Sequence, residues 1–336
     1  MKLLLAFESS CDDTSVAIIN TEYEVLCSLV STQFDHARFG GVLPELASRL
    51  HMQNILRLTQ AALEQTGLEL RDMDAVAVSI NPGLIGSLLV GLSFAKSLAW
   101  SQGLPLITVN HMLAHIFANF IEHPGLRPPF LALVVSGGHS ELVHFTDFTQ
   151  FRVIGKTLDD AAGETFDKAA KLLGLGFPGG PLIDKLAQGG DQVFVKLPRA
   201  LPRKDNFNFS YSGLKTAILQ YLSQQEPAFV QSNLNHIAAS IQQAIVEPLV
   251  SKTITYARQH KIKTILLAGG VAANSRLREE LSFHSKPLGA EVYFPQPAYC
   301  VDNAAMVGAA AIPKLLAEQY SPLSVNAFSA KGTKTL

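Results

Sequence analysis

An α/β fold of two similar lobes facing a cleft is what this sequence of 336 residues predicts. Two segments read as a buried strand, a turn of small polar residues and a second buried strand. Each is followed further along by a strand, a glycine-containing loop and a helix. The length also suits two domains of roughly 100 to 200 residues each. The same order of parts occurring twice marks a duplicated unit. Residues 1–107 with about 305–336 are expected to form an N-terminal lobe, and residues 108–304 a C-terminal lobe.

The first hairpin is Lys2-LLLAF-Glu8, then Ser9 to Thr14, then Ser15-VAII-Asn20. The second is Phe130-LALVV-Ser136, then Gly137-Gly138-His139-Ser140, then Glu141-LVHF. Their unbroken apolar runs are what strands buried on both faces require. The later pair of strands is Ala75-VAVSI and Thr264-ILLA. The loops Asn81-Pro82-Gly83 and Gly269-Gly270-Val271 follow them, and helices are predicted over about Leu84–Trp100 and from Asn274 to Leu281. Glycine turns at strand ends offer backbone N–H groups to an anion such as phosphate. A helix near Pro44 to Gln65 is favoured by Pro44 and Glu45 in its first turn. In Leu84–Trp100 the small residues Gly83, Ser87, Gly91 and Ala95 form one stripe, which lets another helix approach closely. Residues Gln188 to Asn208, rich in Gly, Pro, Lys and Arg, read as an exposed insert.

Composition narrows the function. With 27 Lys+Arg against 28 Asp+Glu, a net charge of -1 and only 16% charged residues, the surface is thinly ionised beside the usual 25% or so. That excludes a disordered chain and a broad basic face for nucleic acid. Leu84–Ala95, the most apolar stretch, ends at Lys96, short of the 18 or so residues of a membrane span. Glu8 interrupts Leu3–Phe7 before a signal-peptide core can form. Cys11, Cys27 and Cys300 are few and far apart, as in a reduced, cytoplasmic compartment.

His111 and His115 stand four apart, which on a helix puts both imidazoles on one face within reach of one metal ion. A zinc peptidase needs Glu directly after the first His, and Met112 is there instead. Asp302, in a short polar break before an apolar helix from Ala304 to Leu316, is the expected third ligand, with helix capping as its bland alternative. Two His and one carboxylate favour Fe(II), with Zn as the other common choice. Cys300 and His139 read as buried and turn residues rather than ligands.

These pieces closely resemble the tRNA threonylcarbamoyladenosine transferases, the universal family once taken for glycoprotein endopeptidases. The segments that carry the resemblance are Glu8-SSCDDT-Ser15, Gly41-VLPELASRLH, Asn110-HMLAH, Val135-SGGHSEL, Asp159-DAAGETFDKAAKLLGL, Phe177-PGGP, Phe209-SYSGLKT, Leu267-AGGVAANSRLR and Cys300-VDNAAM. They span almost the whole chain in order. Departures are few: Ser9 for the usual Thr, Asp13 for a frequent Glu, Asn81 for a common Gly, and Leu113 where Glu often lies.

The resemblance implies the actin, sugar-kinase and Hsp70 (ASKHA) fold. It also implies transfer of a threonylcarbamoyl group from threonylcarbamoyl-AMP to the exocyclic amine of the adenosine beside the anticodon, in tRNAs reading codons that begin with A. By motif, His111, His115 and Asp302 would hold one iron or zinc ion per subunit. Val134, Val135, Ser136, Gly137, Gly138, Asp167, Gly180, Asp184, Gly270 and Asn274 would hold the adenylate, and Asp12 would be the catalytic carboxylate. The implied partners are tRNA, a catalytically silent paralogue docked through N-terminal-lobe helices, a small P-loop ATPase, and an upstream synthase that supplies the adenylate. The small-residue stripe is the candidate paralogue interface, with packing inside the chain as its equal alternative. Lys196, Arg199, Arg203 and Lys204 form a small basic cluster suited to tRNA phosphates. An ATP-dependent small-molecule kinase of the same fold is the alternative, and it leaves the histidine pair without a task. A silent scaffold would not need the histidines or Asp302.

Overall fold

The computed structural model describes residues 1–33, 42–203 and 205–329, so Gly41, Lys204 and residues 330–336 lie outside the described residues. In chain order the elements are β1 (Leu3–Glu8), β2 (Asp13–Asn20), β3 (Val25–Thr32), α1 (Pro44–Thr66), β4 (Ala75–Asn81), α2 (Ile85–Gln102), β5 (Leu106–Asn110), α3 (His111–Phe117) and α4 (Asn119–Glu122). There follow β6 (Phe130–Val135), β7 (Ser140–Phe145), β8 (Phe151–Lys156), α5 (Ala162–Leu172), α6 (Gly179–Leu186), α7 (Ser212–Ser223), α8 (Pro227–Ser232), α9 (Leu234–His260), β9 (Thr264–Ala268), α10 (Ser275–Ser285), β10 (Glu291–Tyr293), α11 (Pro297–Cys300) and α12 (Ala304–Leu316). Among the described residues, no helix is long and apolar enough to cross a membrane.

The chain divides into two compact units, Met1–Leu126 with Pro295–Leu336, and Arg127–Phe294. These bounds differ from the division at 107/108 and about 304/305 read from the sequence. β5 is the outer strand of the first sheet, and α3, which grows straight out of it, packs on α12. His111, His115 and Asp302 therefore all belong to the first unit.

The first unit holds a sheet of order β3-β2-β1-β4-β5. β1, β2 and β3 form an antiparallel meander, while β4 and β5 run parallel to β1. Side chains alternate between the two faces of a strand. Leu5 and Phe7 of β1 join Leu88, Leu92 and Ala95 of α2 and Ile55 of α1 in one core. Ala6 points the other way, toward α12, whose Gly308 lies so close to β2 that a Cβ there would meet Ile19 at 2.4 Å. Glu8, two residues on from Ala6, faces the same side.

The second unit repeats the plan: its sheet order is β10-β9-β6-β7-β8, with β6, β7 and β8 antiparallel and β9 and β10 parallel to β6. The duplication expected from sequence is thus present strand for strand. Among its described residues the insert at 188–208 forms no helix or strand, yet it is held down. Val195 and Leu197 are buried, and the Lys252 ammonium donates to the carbonyls of Leu201, Asn206 and Asn208.

The small-residue stripe of α2 has an internal task. A Cβ on Gly91 would stand 2.3 Å from Ser9 Oγ, and one on Gly83 would stand 2.5 Å from the Ser10 carbonyl. Ser9 Oγ donates to the Ser87 carbonyl at 2.9 Å. The stripe seats the β1–β2 turn, which overturns its assignment as a subunit interface. The outward side of this layer is instead apolar, with Met52 and Leu56 of α1 and Ile85, Leu89 and Trp100 of α2 exposed.

Candidate metal centre and adenylate site

β5 runs without a loop into α3, and the Asn110 side chain caps that helix by accepting from the N–H groups of Met112 and Leu113. His111 and His115 are thereby fixed one turn apart, at the end of a parallel strand. Their rings lie edge to face with centroids 4.7 Å apart. Both are buried, at 8% and 2% exposure. Asp302 follows α11, and it is Asn303 that caps α12, through the Met306 N–H. The capping alternative for Asp302 therefore falls away, and its carboxylate is left for the histidines. Asp302 Oδ1 lies 3.4 Å from His111 Nε2 and 3.1 Å from His115 Nε2. Ligand atoms of the three residues all fall within 4.8 Å of one another.

Behind His111 stands Glu8, fully buried at 0% exposure. Glu8 Oε2 is 3.1 Å from His111 Nδ1, and Glu8 Oε1 accepts the Ser10 N–H at 2.6 Å. Ser10 Oγ also lies 3.2 Å from His111 Nδ1. Burial by itself would lower the His111 pKa, but the charges of Glu8 and Asp302 override it and hold the imidazole well above its usual value. Burial likewise pushes Glu8 and Asp302 up, yet the His111 charge brings both below the ordinary carboxylate range. One fully buried and one half-buried carboxylate around two imidazoles are a site short of positive charge. Buried charges are paired or coordinate metals, and two Nε2 atoms converging on a carboxylate oxygen is a donor set that fits a divalent ion of the iron or zinc type. Cys300 is buried and its thiol points to the Pro295 carbonyl. His139 sits in the β6–β7 turn of the second unit, its N–H donating to Ser136 Oγ.

The β1–β2 turn places Asp12 and Asp13 in the same unit. His51 of α1, itself fully buried, holds the turn: its Nε2 lies 2.9 Å from the Cys11 carbonyl and its Nδ1 2.7 Å from Thr14 Oγ1. A carbonyl only accepts, so Nε2 carries the proton and Nδ1 receives the Thr14 hydroxyl. Asp13 keeps one buried oxygen, Oδ1, without a partner. Burial raises its pKa to about 6, with Asp302, Asp12 and Glu8 adding to the shift. The Cys11 thiol is pushed up by burial and by Asp12.

The expected adenylate residues all fall in the second unit. Val134 and Val135 lie inside β6 with buried side chains, so they bring the strand end rather than side-chain contacts. Ser136 closes the turn, its N–H donating to the His139 carbonyl and its Oγ accepting the His139 N–H. Gly137, Gly138, Gly180 and Gly270 have open space where a Cβ would stand, and none has a positive φ. The fold does not require glycine at these four places, so they leave room for a ligand to approach the backbone. Gly163, Gly179 and Gly269 are different. A Cβ on each would stand 2.5 Å from, respectively, the Ser136 carbonyl, Ala170 Cβ and the Val135 carbonyl, and Gly269 has φ +85°. Gly163 and Gly269 press α5 and the turn after β9 against the tip, and Gly179 presses α6 against α5.

Asp167 accepts the Gly179 N–H at 2.7 Å and the Gly180 N–H beside it. Asp184 accepts from Gln242 Nε2 and from the backbone and hydroxyl of Ser275, so it ties α6 to the start of α10. Asn274 caps α10 through Oδ1 while its Nδ2 is buried without a partner. That amide is a donor left free for a ligand. In the basic insert, Arg199 pairs with Glu247, while Lys196 and Arg203 are exposed.

Comparison with known proteins settles the family. The model of TsaD, described as tRNA N6-adenosine threonylcarbamoyltransferase, matches residues 24–309. The chain belongs to this family. A tRNA N6-adenosine threonylcarbamoyltransferase of Clostridium perfringens strain SM101 is 50% identical over 327 residues, covering 97% of this chain and 96% of that protein. One of Moorella thermoacetica is 49% identical over 325 residues, covering 96% and 95%. Among solved structures, full-length HypF in its phosphate- and nucleotide-bound form superposes with a TM-score of 0.62 at 16% identity, covering 95% of this chain and 47% of that one. Component A of (R)-2-hydroxyglutaryl-CoA dehydratase from Acidaminococcus fermentans gives 0.56 at 14% identity, covering 94% and 100%. These two share the fold alone. The chain is an enzyme of the transferase class with the two-lobed ASKHA fold.

Glu8 and His51 had no role in the sequence reading, although both lie in motifs quoted there. Only an antiparallel pairing that ends at Glu8 and Ser15 and a helix that runs into the sheet bring them to the site.

Proposed function

We propose that threonylcarbamoyl-AMP binds at the open glycines Gly137, Gly138, Gly180 and Gly270 of the second unit, and that His111, His115, Asp302 and Asp12 of the first unit carry the acyl transfer. The acceptor is the exocyclic amine of the adenosine beside the anticodon in tRNAs reading codons that begin with A. The backbone N–H groups of Gly137, Gly138 and Gly270 suit phosphate, the Gly180 N–H being already turned to Asp167, and Asn274 Nδ2 adds a side-chain donor. Asp167 and Asp184 act from behind, holding the N-terminus of α6 and the start of α10. A divalent ion, Fe(II) first and Zn second, would be held by His111, His115 and Asp302 and, when bound, supplies Lewis-acid polarisation of the threonylcarbamoyl carbonyl. Asp12 takes the proton that the adenosine amine loses on attack, and the Asp13 carboxylate beside it keeps the turn acidic. AMP leaves with the bond electrons from the mixed anhydride.

The observation that carries this reading is the convergence of both Nε2 atoms on Asp302. An ATP-dependent kinase has no use for it, and a peptidase lacks its base, since Met112 is buried in the core. Lys196 and Arg203 are offered to tRNA phosphates. The apolar outer face of α1 and α2 is where the silent paralogue docks. A P-loop ATPase subunit and an upstream synthase complete the system, in the cytoplasm where tRNA is found. The test is a reconstituted reaction of the purified chain with its partner subunits, tRNA and threonylcarbamoyl-adenylate. Formation of the modified adenosine is expected. No product from wild type, or full product from a His111→Ala, His115→Ala double variant, defeats the reading.

A further inference from the structure

We infer that Glu8 is a positioning residue for the metal centre: its carboxylate fixes the proton of His111 on Nδ1 and so presents Nε2 as the ligand atom. This rests on the metal reading above.

Glu8 ends β1 with its carboxylate fully buried, and its two oxygens have separate partners. Oε1 accepts the Ser10 N–H at 2.6 Å, which closes the turn, and Oε2 is 3.1 Å from His111 Nδ1. An ionised carboxylate only accepts, so the nitrogen facing it must carry the proton. The lone pair of a neutral His111 is then on Nε2, the atom 3.4 Å from Asp302 Oδ1. A ligating histidine held from behind by a carboxylate is the usual way of fixing tautomer and basicity. The neighbouring ligand has no such support. His115 Nδ1 is buried without a hydrogen-bond partner, so His111 is the anchored ligand and His115 follows. Glu8 also contributes a negative charge that no Lys or Arg pairs with among the described residues, so it strengthens the pull on a divalent cation.

Glu8→Gln separates this role from a purely structural one. With its amide oxygen kept on the Ser10 N–H, the side chain turns an NH2 group toward His111. Two donors cannot face each other, so His111 must move its proton to Nε2, the ligand atom. Turning the amide round breaks the Ser10 bond instead. Zinc affinity of the full chain, measured by competition with a chromophoric chelator, is expected to fall about 10- to 100-fold in Glu8→Gln, the range for lost support behind a metal ligand. Long-range 1H–15N spectra of the zinc-loaded wild type are expected to show His111 protonated at Nδ1, a readout that needs no variant to fold. Glu8→Asp, too short to reach, is expected to weaken zinc binding as well. Unchanged zinc affinity in folded Glu8→Gln, or a wild-type His111 protonated at Nε2, overturns the role of Glu8 and leaves the metal site standing. A wild-type chain that takes up neither zinc nor cobalt(II) overturns the metal reading itself, and this inference with it.

Discussion

The two units carry the same sheet, strand for strand, and opposite chemistry at the same place in it. The first hairpin ends its ladder at Glu8 opposite Ser15, the second at Val135 opposite Ser140. In each, a glycine of the next βα turn lies against the hairpin, Gly83 on the Ser10 carbonyl and Gly269 on the Val135 carbonyl. The scaffold is common; the residue at the strand end is not. Glu8 gathers a histidine, a second carboxylate and an acidic turn, which ask for a cation. Val135 is followed by Ser136, Gly137 and Gly138, whose exposed backbone asks for an anion. Duplication supplied two strand ends, and a buried carboxylate at one against open glycines at the other is what separates the proposed cation site from the proposed anion site.

The strongest way to break this contrast is to remove the cation ligands. His111→Ala with His115→Ala is expected to abolish stoichiometric metal and to slow transfer at least about 100-fold, since loss of Lewis-acid stabilisation costs several kcal/mol. Adenylate binding, measured by calorimetry, should stay within about twofold of wild type. A parallel loss of adenylate affinity would mean that the two chemistries are not divided in this way.

The next effect lies in the second unit and divides its glycines into two kinds. Gly137→Val fills space that the fold leaves open, so the melting temperature should hold while the adenylate binds at least about 10-fold more weakly. Gly163→Ala drives a methyl into the Ser136 carbonyl, and overpacking of this kind costs about 1–3 kcal/mol. Urea unfolding should register Gly163→Ala and miss Gly137→Val. The reverse pattern would mean that the open glycines serve the fold and not the ligand.

How much of this the sequence already carried depends on the range of the interaction. Hairpins, βα turns and the His111–His115 pair are local, and their patterns are legible. Asp302 was reachable because it breaks an apolar run at a helix start. Glu8 was not: a single carboxylate closing an apolar strand looks like an ordinary surface residue until β5 and α3 bring His111 to it, across 103 residues of chain. The α2 stripe failed for a related reason. Small residues announce a close approach without naming what approaches, and here it is the protein's own β1–β2 turn. The lobe boundary moved because α3 continues β5 and so stays with the first sheet, a packing preference that no local pattern records.

The smallest expected effect tests a second inequality between the hairpins. One step back from the strand ends, Phe7 pairs with Val16 in the first unit and Val134 with Glu141 in the second. Glu141 is buried at 3% exposure with Oε2 lacking a partner. Burial raises its pKa from 4.5 to about 6, with only Lys156 opposing. The folded state therefore binds this proton more tightly than the unfolded chain does. The ionised carboxylate costs stability at pH values above about 6, and that cost disappears below about 4.5, where both states are protonated. Glu141→Gln carries no such charge, so it should be more stable than wild type by up to about 2 kcal/mol at pH 8. The gap should close as the pH is lowered to about 4. Urea midpoints for the two proteins at both pH values measure it. A gap that persists at low pH would assign the gain to packing, and the second hairpin would then differ from the first in shape rather than in charge.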